Sequence, residues 1–339
     1  MSLAATFEYW LPLIEAEMLD IVTNAWPRMP HDLRTMLLYH LGFADADGTV
    51  MHINAGKRIR PLLSLLSCQA CNGDAQLALP AAAGIELLHN FSLIHDDIED
   101  GDTLRRGRPT LWKQWNTALA INAGDTLFAL SHLAIQRCAD RGAAPGDVLR
   151  ALRIFDETNV HLTVGQHWDI SFETRTSVTT TQYLDMIAGK TAALTAAACG
   201  IGAMIAGANA QMTTALTEFG RSLGLSFQLQ DDVLGIWGDP AVTGKADGDL
   251  ARRKKTLPVL FAAEHDDVVR ARTFGSAPLT AEQISDLRSR IEASGAREHT
   301  ERAAAVAYAQ GAEALETLPD GVHRATLLAL AHSLLGRSA

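Results

Sequence analysis

The chain has 339 residues, 47% hydrophobic and 20% charged, which supports a large folded core and excludes a disordered chain. Its formal net charge of −10 excludes a general nucleic-acid binder, so any anionic ligand must find a local basic patch against that overall field. The opening MSLAATFEYWLPLIEAEML places Glu15 and Glu17 in its apolar part and lacks a basic leader. With free thiols at Cys68, Cys71, Cys138 and Cys199, the expectation is a cytoplasmic protein.

Helical periodicity dominates from end to end. Helices are predicted over residues 7–26, 61–71, 79–97, 110–139, 147–172, 180–205, 212–236, 280–294 and 302–318, with Gly, Pro and Asn breakers between them. Alternating strand patterns are scarce, and neither a dinucleotide fingerprint nor a phosphate loop is present. The prediction is a single all-α domain over residues 1–339, with long helices and no linker.

Taken in chain order, the first motif is DADGT at Asp45. Its glycine and its twelfth position, Gly56, do not fit a calcium loop. AGKRIRP follows with Lys57, Arg58 and Arg60. Cys68 and Cys71 form a C-x-x-C without partner ligands and read as small apolar residues on one helix face. LIHDDIEDGDTLRRGRPT then sets Asp96, Asp97, Glu99, Asp100 and Asp102 before Arg105, Arg106 and Arg108. On a helix Asp96 and Asp100 share a face roughly 6 Å apart, which is costly unless a cation lies between them. A hard divalent ion such as Mg²⁺ suits oxygen donors of this kind. Residues 191–210 are twenty uncharged positions, but Ala, Gly and Thr dominate; buried helices interrupted near Gly200 and Gly202 are expected there, not a membrane span.

A second acidic pair, Asp231 and Asp232, ends the apolar run SFQLQDD, and Lys245, Arg252, Arg253, Lys254 and Lys255 follow it. Two acidic pairs, each trailed by cations, together with a third basic group at 57–60, describe a pocket for diphosphate. One part would be bridged by metal and another held directly by cations.

These motifs resemble the trans-isoprenyl diphosphate synthase (polyprenyl synthetase) family. The resemblance rests on GKRIRP at 56–61, HNFSLIHDDIED at 89–100 with RRGRP at 105–109, GKT at 189–191, FQLQDDVLGIWGDPAVTGK at 227–245 and DLARRKKTLP at 249–258. It implies an all-α bundle around a deep central cavity, a homodimer, and condensation of an allylic diphosphate (dimethylallyl, geranyl or farnesyl) with isopentenyl diphosphate. By resemblance, Asp96 and Asp100 would bind two of three Mg²⁺ ions and Asp231 the third, with Asp97 and Asp232 in support. Arg105, Lys190, Lys245 and Lys254 would contact the allylic diphosphate. Lys57, Arg60, His89 and Arg106 would hold isopentenyl diphosphate, and Thr191 and Gln228 would lie near the reacting carbons. His95 reads as structural. Phe91 and Ser92, upstream of the first acids, would set product length; Phe followed by a small residue resembles the geranylgeranyl (C20) type, with farnesyl (C15) and C25 products as alternatives. The second motif departs from the family pattern at Gly235, where members often carry Asp. Weaker Mg²⁺ binding at the third ion is expected, with Asp239 a candidate substitute. A class I terpene cyclase would not need the second basic site, and a decayed partner subunit would not keep the full acidic motif.

Overall fold

Ser2 caps the first helix by accepting from the Ala5 N–H, and the apolar spacing Trp10, Ile14, Met18, Ile21 buries one face. This helix, Leu3–Asn24 (α1), opens a chain that is helical almost throughout. A computed structural model describes residues 2–51, 53, 56–238 and 248–335. Lys245 and Asp239 lie outside the described residues. After α1 come His31–Leu41 (α2), Ile59–Ala70 (α3), Ala75–Glu99 (α4), two-residue strands Leu104–Arg105 (β1) and Arg108–Pro109 (β2), Leu111–Gln114 (α5), Thr117–Asp140 (α6) and Pro145–Thr174 (α7). Thr180–Ile187 (α8) runs through a π-helical turn, Ala188–Ala192, into Ala193–Ile205 (α9). Then follow Ala210–Trp237 (α10), Gly248–Ala251 (α11), Leu257–His265 (α12), Asp267–Thr273 (α13), Ala281–Ala293 (α14), Ala296–Ala314 (α15) and Val322–Leu335 (α16). The predicted all-α class is observed; among the described residues, strand structure is limited to the β1–β2 hairpin and one bridge, Ala44 with Val50.

Three local readings differ. The helix predicted over 110–139 is broken at Trp115, and Asn116 starts α6 afresh by accepting from the Leu119 N–H at 2.9 Å. The interruption expected near Gly200 and Gly202 is absent, and α9 passes through both. Gly202 instead admits the main chain of α3: a Cβ there would lie 2.0 Å from the Ser64 carbonyl oxygen. Helices α2, α11, α12, α13 and α16 lie outside the predicted ranges. α2 is short and α13 carries three charges, which blurs the apolar stripe.

The chain divides into two compact units. Unit one gathers the described residues of 1–156, 197–216 and 318–327; unit two gathers those of 157–196, 217–317 and 328–339. In unit one α4 packs against α3, α1 and α6. Its Ala81, Ala82, Ala83, Ile85, Leu87 and Leu88 are fully buried, and Gly84 lets the α6 backbone approach, since a Cβ would meet the Ser131 oxygen at 2.8 Å. Unit two is built on Tyr183, Met186, Ile187, Leu229, Leu257 and Leu260, with a further cluster of Ile236, Val259, Leu287 and Ile291.

Among the described residues three stretches are long and apolar enough to cross a membrane by length and composition: Ala75–Glu99, Thr117–Asp140 and Thr180–Ile205. The sequence reading weighed only part of the last. Within the protein, 72%, 44% and 72% of their most apolar windows is buried.

Candidate active site

In unit one the acids stand at the end of α4. Asp74 caps its start, and after twenty-five helical residues the helix closes on Asp100, whose N–H donates to the Asp96 carbonyl at 2.8 Å. Asp96 and Asp100 therefore sit in the last turn and the C-cap, where the helix dipole is negative and adds to their mutual repulsion. Both are part-buried. Asp97 faces the other way. It is 1% exposed and accepts from Arg105 Nε and a terminal guanidinium nitrogen, each at 2.7 Å. Burial raises its pKa, opposed by the Arg105 hydrogen bond. Its supporting role is thus to anchor Arg105.

The basic residues that follow are presented by the hairpin. Leu104 pairs with Pro109 and Arg105 with Arg108. The two residues between them, Arg106 and Gly107, take positive φ of 53° and 76°, as a mirror-image two-residue turn requires. Arg106 is thereby carried at the tip. Arg108 is structural: its guanidinium lies 3.7 Å from the Tyr39 ring centre and donates to the Tyr39 and Ala44 carbonyls.

The GKRIRP segment meets this hairpin. A Cβ on Gly56 would lie 3.3 Å from an Arg106 guanidinium nitrogen. Arg58, in a left-handed conformation at φ 48°, turns inward, donating to Glu86 Oε1 at 2.8 Å and to the Leu41 carbonyl at 2.9 Å. Lys57 stays exposed and Arg60 part-exposed. His89 marks where these charges converge. Burial first, then the charges of Arg60, Arg106, Arg105 and Arg58, hold its imidazole well below the ordinary value, so it is neutral at pH 7. His40 is depressed by burial and by Arg106, Arg105 and Arg58. A cleft at this place is lined by Tyr39, His40, Ile53, Arg105, Arg106 and Thr110, among others. Of the predicted isopentenyl diphosphate ligands, Arg60, His89 and Arg106 are therefore brought within one field.

Phe91 does not stand alone. Its ring centre is 5.1 Å from that of Phe128 and 4.8 Å from that of His95; Phe128 continues to His132 at 4.6 Å, and His132 to Phe155 at 5.0 Å. Ser92 Oγ donates to the His89 carbonyl. His95 fits the notch at Gly124, where a Cβ would come 2.4 Å from Nε2.

In unit two the GKT motif is the π-helical turn itself. Such turns cost hydrogen-bond geometry and are enriched at functional sites. This one is pressed against α7: a Cβ on Gly165 would lie 2.2 Å from the Lys190 nitrogen, and one on Gly189 would lie 2.6 Å from the His161 oxygen. Lys190 Nζ donates to Asp169 Oδ2 at 2.5 Å. Thr191 Oγ1 donates to Gln228 Oε1 at 2.8 Å, and Gln228 Nε2 donates to Asp232 Oδ1 at 3.2 Å. Asp232, 2% exposed, also accepts from the Tyr183 hydroxyl and the Leu257 N–H. Burial raises its pKa to about 7, against the downward pull of Tyr183, Gln228 and Leu257. Asp231 is exposed, and Lys254 part-exposed.

At Gly235 a Cβ would lie 2.2 Å from Asp249 Oδ2, so a carboxylate from α11 packs close against the backbone there. Asp169, Tyr183 and Asp249 were not foreseen. Asp169 lies four residues beyond Gly165, one helical turn along the same face, which was the available signal.

The donor set fits a hard divalent ion. Asp96, Asp100 and Asp231 keep exposure, while the neighbour of each leading acid, Asp97 or Asp232, is committed inward. Among the described residues no three His, Cys, Asp or Glu side chains form a protein-only cage, so a metal held by the acids of either unit would share its coordination with water or ligand oxygens.

The model of the polyprenyl synthetase family matches residues 48–287. A geranylgeranyl diphosphate synthase of Mycobacterium tuberculosis is 39% identical over 322 residues, covering 94% of this chain and 90% of the relative. A (2E,6E)-farnesyl diphosphate synthase of Mycobacterium bovis is also 39% identical, over 91% and 87% of the two chains. The crystal structure of a polyprenyl synthetase from Streptomyces coelicolor superposes with a TM-score of 0.88 at 35% identity, covering 98% of this chain and 100% of that one. With this match the all-α architecture is that of the isoprenoid synthase fold, and the chain belongs to the polyprenyl synthetase family of prenyltransferases.

Proposed function

We propose that the protein condenses an allylic diphosphate with isopentenyl diphosphate, giving geranylgeranyl diphosphate as its main product. The supporting observation is the convergence of Arg60, Arg105 and Arg106 on a neutral His89 beside part-exposed acids. A cyclase needs one diphosphate site; this chain builds a second, metal-free cationic site next to the first.

Lys57, Arg60, His89 and Arg106 hold the isopentenyl diphosphate. Arg105, fixed by Asp97, takes the allylic diphosphate together with Lys190, Lys245 and Lys254. Magnesium, held by Asp96, Asp100 and Asp231, would neutralise diphosphate oxygens and make diphosphate a better leaving group. Cleavage of the C1–O bond leaves an allylic cation that water would trap, so the reaction requires a site that excludes water. The oxygens of Thr191 and Gln228 stabilise that charge. The alkene of the held isopentenyl diphosphate attacks C1, and the adjacent proton passes to the released diphosphate. Phe91, backed by Phe128, acts as a floor for the growing tail, with Ser92 leaving room above it. The same reading makes the protein a cytoplasmic homodimer.

The test is chromatography of products from labelled isopentenyl diphosphate with dimethylallyl, geranyl or farnesyl diphosphate. A C20 chain is expected with every starter. Cyclised hydrocarbon from farnesyl diphosphate alone would instead favour a cyclase.

A further inference from the structure

Trp112 carries no charge and lies outside the acidic motif, yet its indole N–H is aimed at the turn that bears Asp100. Nε1 donates to two main-chain oxygens, those of Asp97 and Asp102, each at 2.9 Å. These two residues bracket the end of α4. Gly101 between them takes a positive φ of 68°, its N–H donates to the Ile98 carbonyl, and the Asp102 N–H returns to the Asp97 carbonyl at 2.9 Å. Glycine-ended stops of this kind supply the last helical carbonyls with donors just beyond the helix. Asp100, the C-cap, lies inside the loop so closed.

The last turn of a helix frays most easily, because its carbonyls lack intrahelical partners. Here Asp96, Glu99, Asp100 and Asp102 crowd that turn, and the negative end of the helix dipole adds to their repulsion. Trp112 supplies a donor at this negative end without a side-chain cation that would compete with a metal. The Asp97 oxygen then accepts from Asp102 and Trp112. The Asp102 oxygen accepts from Trp112 and from Thr110 Oγ1 at 2.9 Å. Both lone pairs of each carbonyl are engaged. The anchor is itself fixed: Trp112 stands on α5, whose Leu111 is 2% exposed and whose N-cap, Thr110, is 3% exposed. α5 packs on α6 and α4, and the Thr110 hydroxyl goes to Asp102 instead of capping its own helix. All of these residues belong to unit one.

We propose that Trp112 is a positioning residue: its indole N–H bolts the final turn of α4 shut, so that Asp96 and Asp100 are held in one fixed arrangement before any divalent cation arrives. The inference rests on the reading of Asp96 and Asp100 as magnesium ligands given above. Trp112 acts through the main chain, by tying the two carbonyls on either side of Asp100 to one rigid ring. Without that tie, part of the binding free energy of the ion is spent on ordering the turn, and affinity falls. The isopentenyl diphosphate ligands Lys57 and Arg60 precede α4 or lie on α3, and Arg105 stays tied to Asp97 by its own side chain, so loss of the indole N–H weakens the metal-dependent site selectively.

The experiment compares wild type with Trp112→Phe, which keeps an aromatic ring and removes the donor. Three quantities are read: amide hydrogen exchange over residues 97–102 in metal-free protein, the magnesium concentration that half-saturates calorimetric binding of inorganic diphosphate, and KM for isopentenyl diphosphate. Trp112→Phe is expected to speed exchange in that segment about fivefold and to raise the half-saturating magnesium about fivefold. KM for isopentenyl diphosphate should stay within about twofold of wild type, with little change in melting temperature. Unchanged exchange together with unchanged half-saturation overturns the proposal. So does a variant that loses melting temperature and isopentenyl diphosphate affinity while its magnesium half-saturation stays put, since that is the mark of a merely structural tryptophan. Should Trp112→Phe fail to fold, benzothienylalanine at position 112, which keeps the fused ring and replaces the N–H by sulfur, takes its place with the same outcomes. Wild-type protein that binds no diphosphate with magnesium overturns the metal reading of Asp96 and Asp100 and the inference with it; wild type that binds it and a variant that binds it equally well overturn the inference alone.

Discussion

Replacing Gly165 by alanine would push a methyl group into the turn that carries Lys190 and Thr191. The new Cβ would start 2.2 Å from the Lys190 nitrogen, 2.8 Å from the Gly189 carbonyl carbon and 2.9 Å from the Lys190 Cα. All three are backbone atoms, so no flexible side chain can yield. Ordinary contact begins near 3.4 Å, so α7 and the π-helical turn must separate by about 1.2 Å (3.4 − 2.2). Overpacking of this kind costs about 1–3 kcal/mol, equivalent to roughly 2–12 °C in melting temperature for a unit of this size. A displacement of about 1 Å at reacting groups costs on the order of 10²-fold in rate. Calorimetry and steady-state condensation kinetics measure both. Gly146→Ala is the control, since its Cβ would meet only the tip of Arg150 at 3.9 Å. Gly165→Ala with wild-type melting and kcat would refute the close contact between α7 and the GKT turn.

Arg58→Met leaves Glu86 buried without its cation, and urea unfolding should show a loss of about 3–5 kcal/mol. Unlike a substrate ligand, Arg58 should affect stability more than KM. His40 and His89 have folded-state pKa values below the ordinary 6.5. The unfolded chain therefore binds more protons than the folded one below pH 6.5, and stability should fall as pH drops through and below that value. Urea midpoints between pH 7.5 and 5 should show this decline, and His40→Gln should flatten it. Asp249→Asn should move the magnesium-dependent rise in melting temperature to higher magnesium, and Gly235→Asp should restore it only in that background; no shift in Asp249→Asn would show that its carboxylate does not serve the second acidic pair. Phe91→Ala should lengthen the main product, and an unchanged product would place the floor elsewhere on the stack with Phe128.

Identity of the motifs was legible in the sequence, because hydrogen-bonding and charge requirements for diphosphate survive in residue type. Direction was not. Arg58 and Arg60 lie two apart in one motif, yet one is bound to Glu86 and the other contributes to the field at His89. Their divergence follows from a left-handed backbone at Arg58, which a tripeptide pattern does not encode. Glycines were misread for a related reason. Gly202 looked like a helix break because glycine weakens helices locally, whereas its role is set by Ser64 on another helix. Gly235 reads as a missing carboxylate, and its closeness to Asp249, fourteen positions on, shows only once the chain is folded. Short helices such as α13 escaped notice because charged residues interrupt their apolar stripe.

The inward turn of Asp97 and Asp232 makes each aspartate doublet a hook joined to a rivet. In the proposed function the leading acid reaches toward cargo, while its twin fastens the hook's surroundings, Arg105 in one case and the Thr191–Gln228 pair in the other. Two chemically identical neighbours therefore fail in different ways when exchanged for alanine, one by losing grip and the other by letting adjacent machinery swing loose.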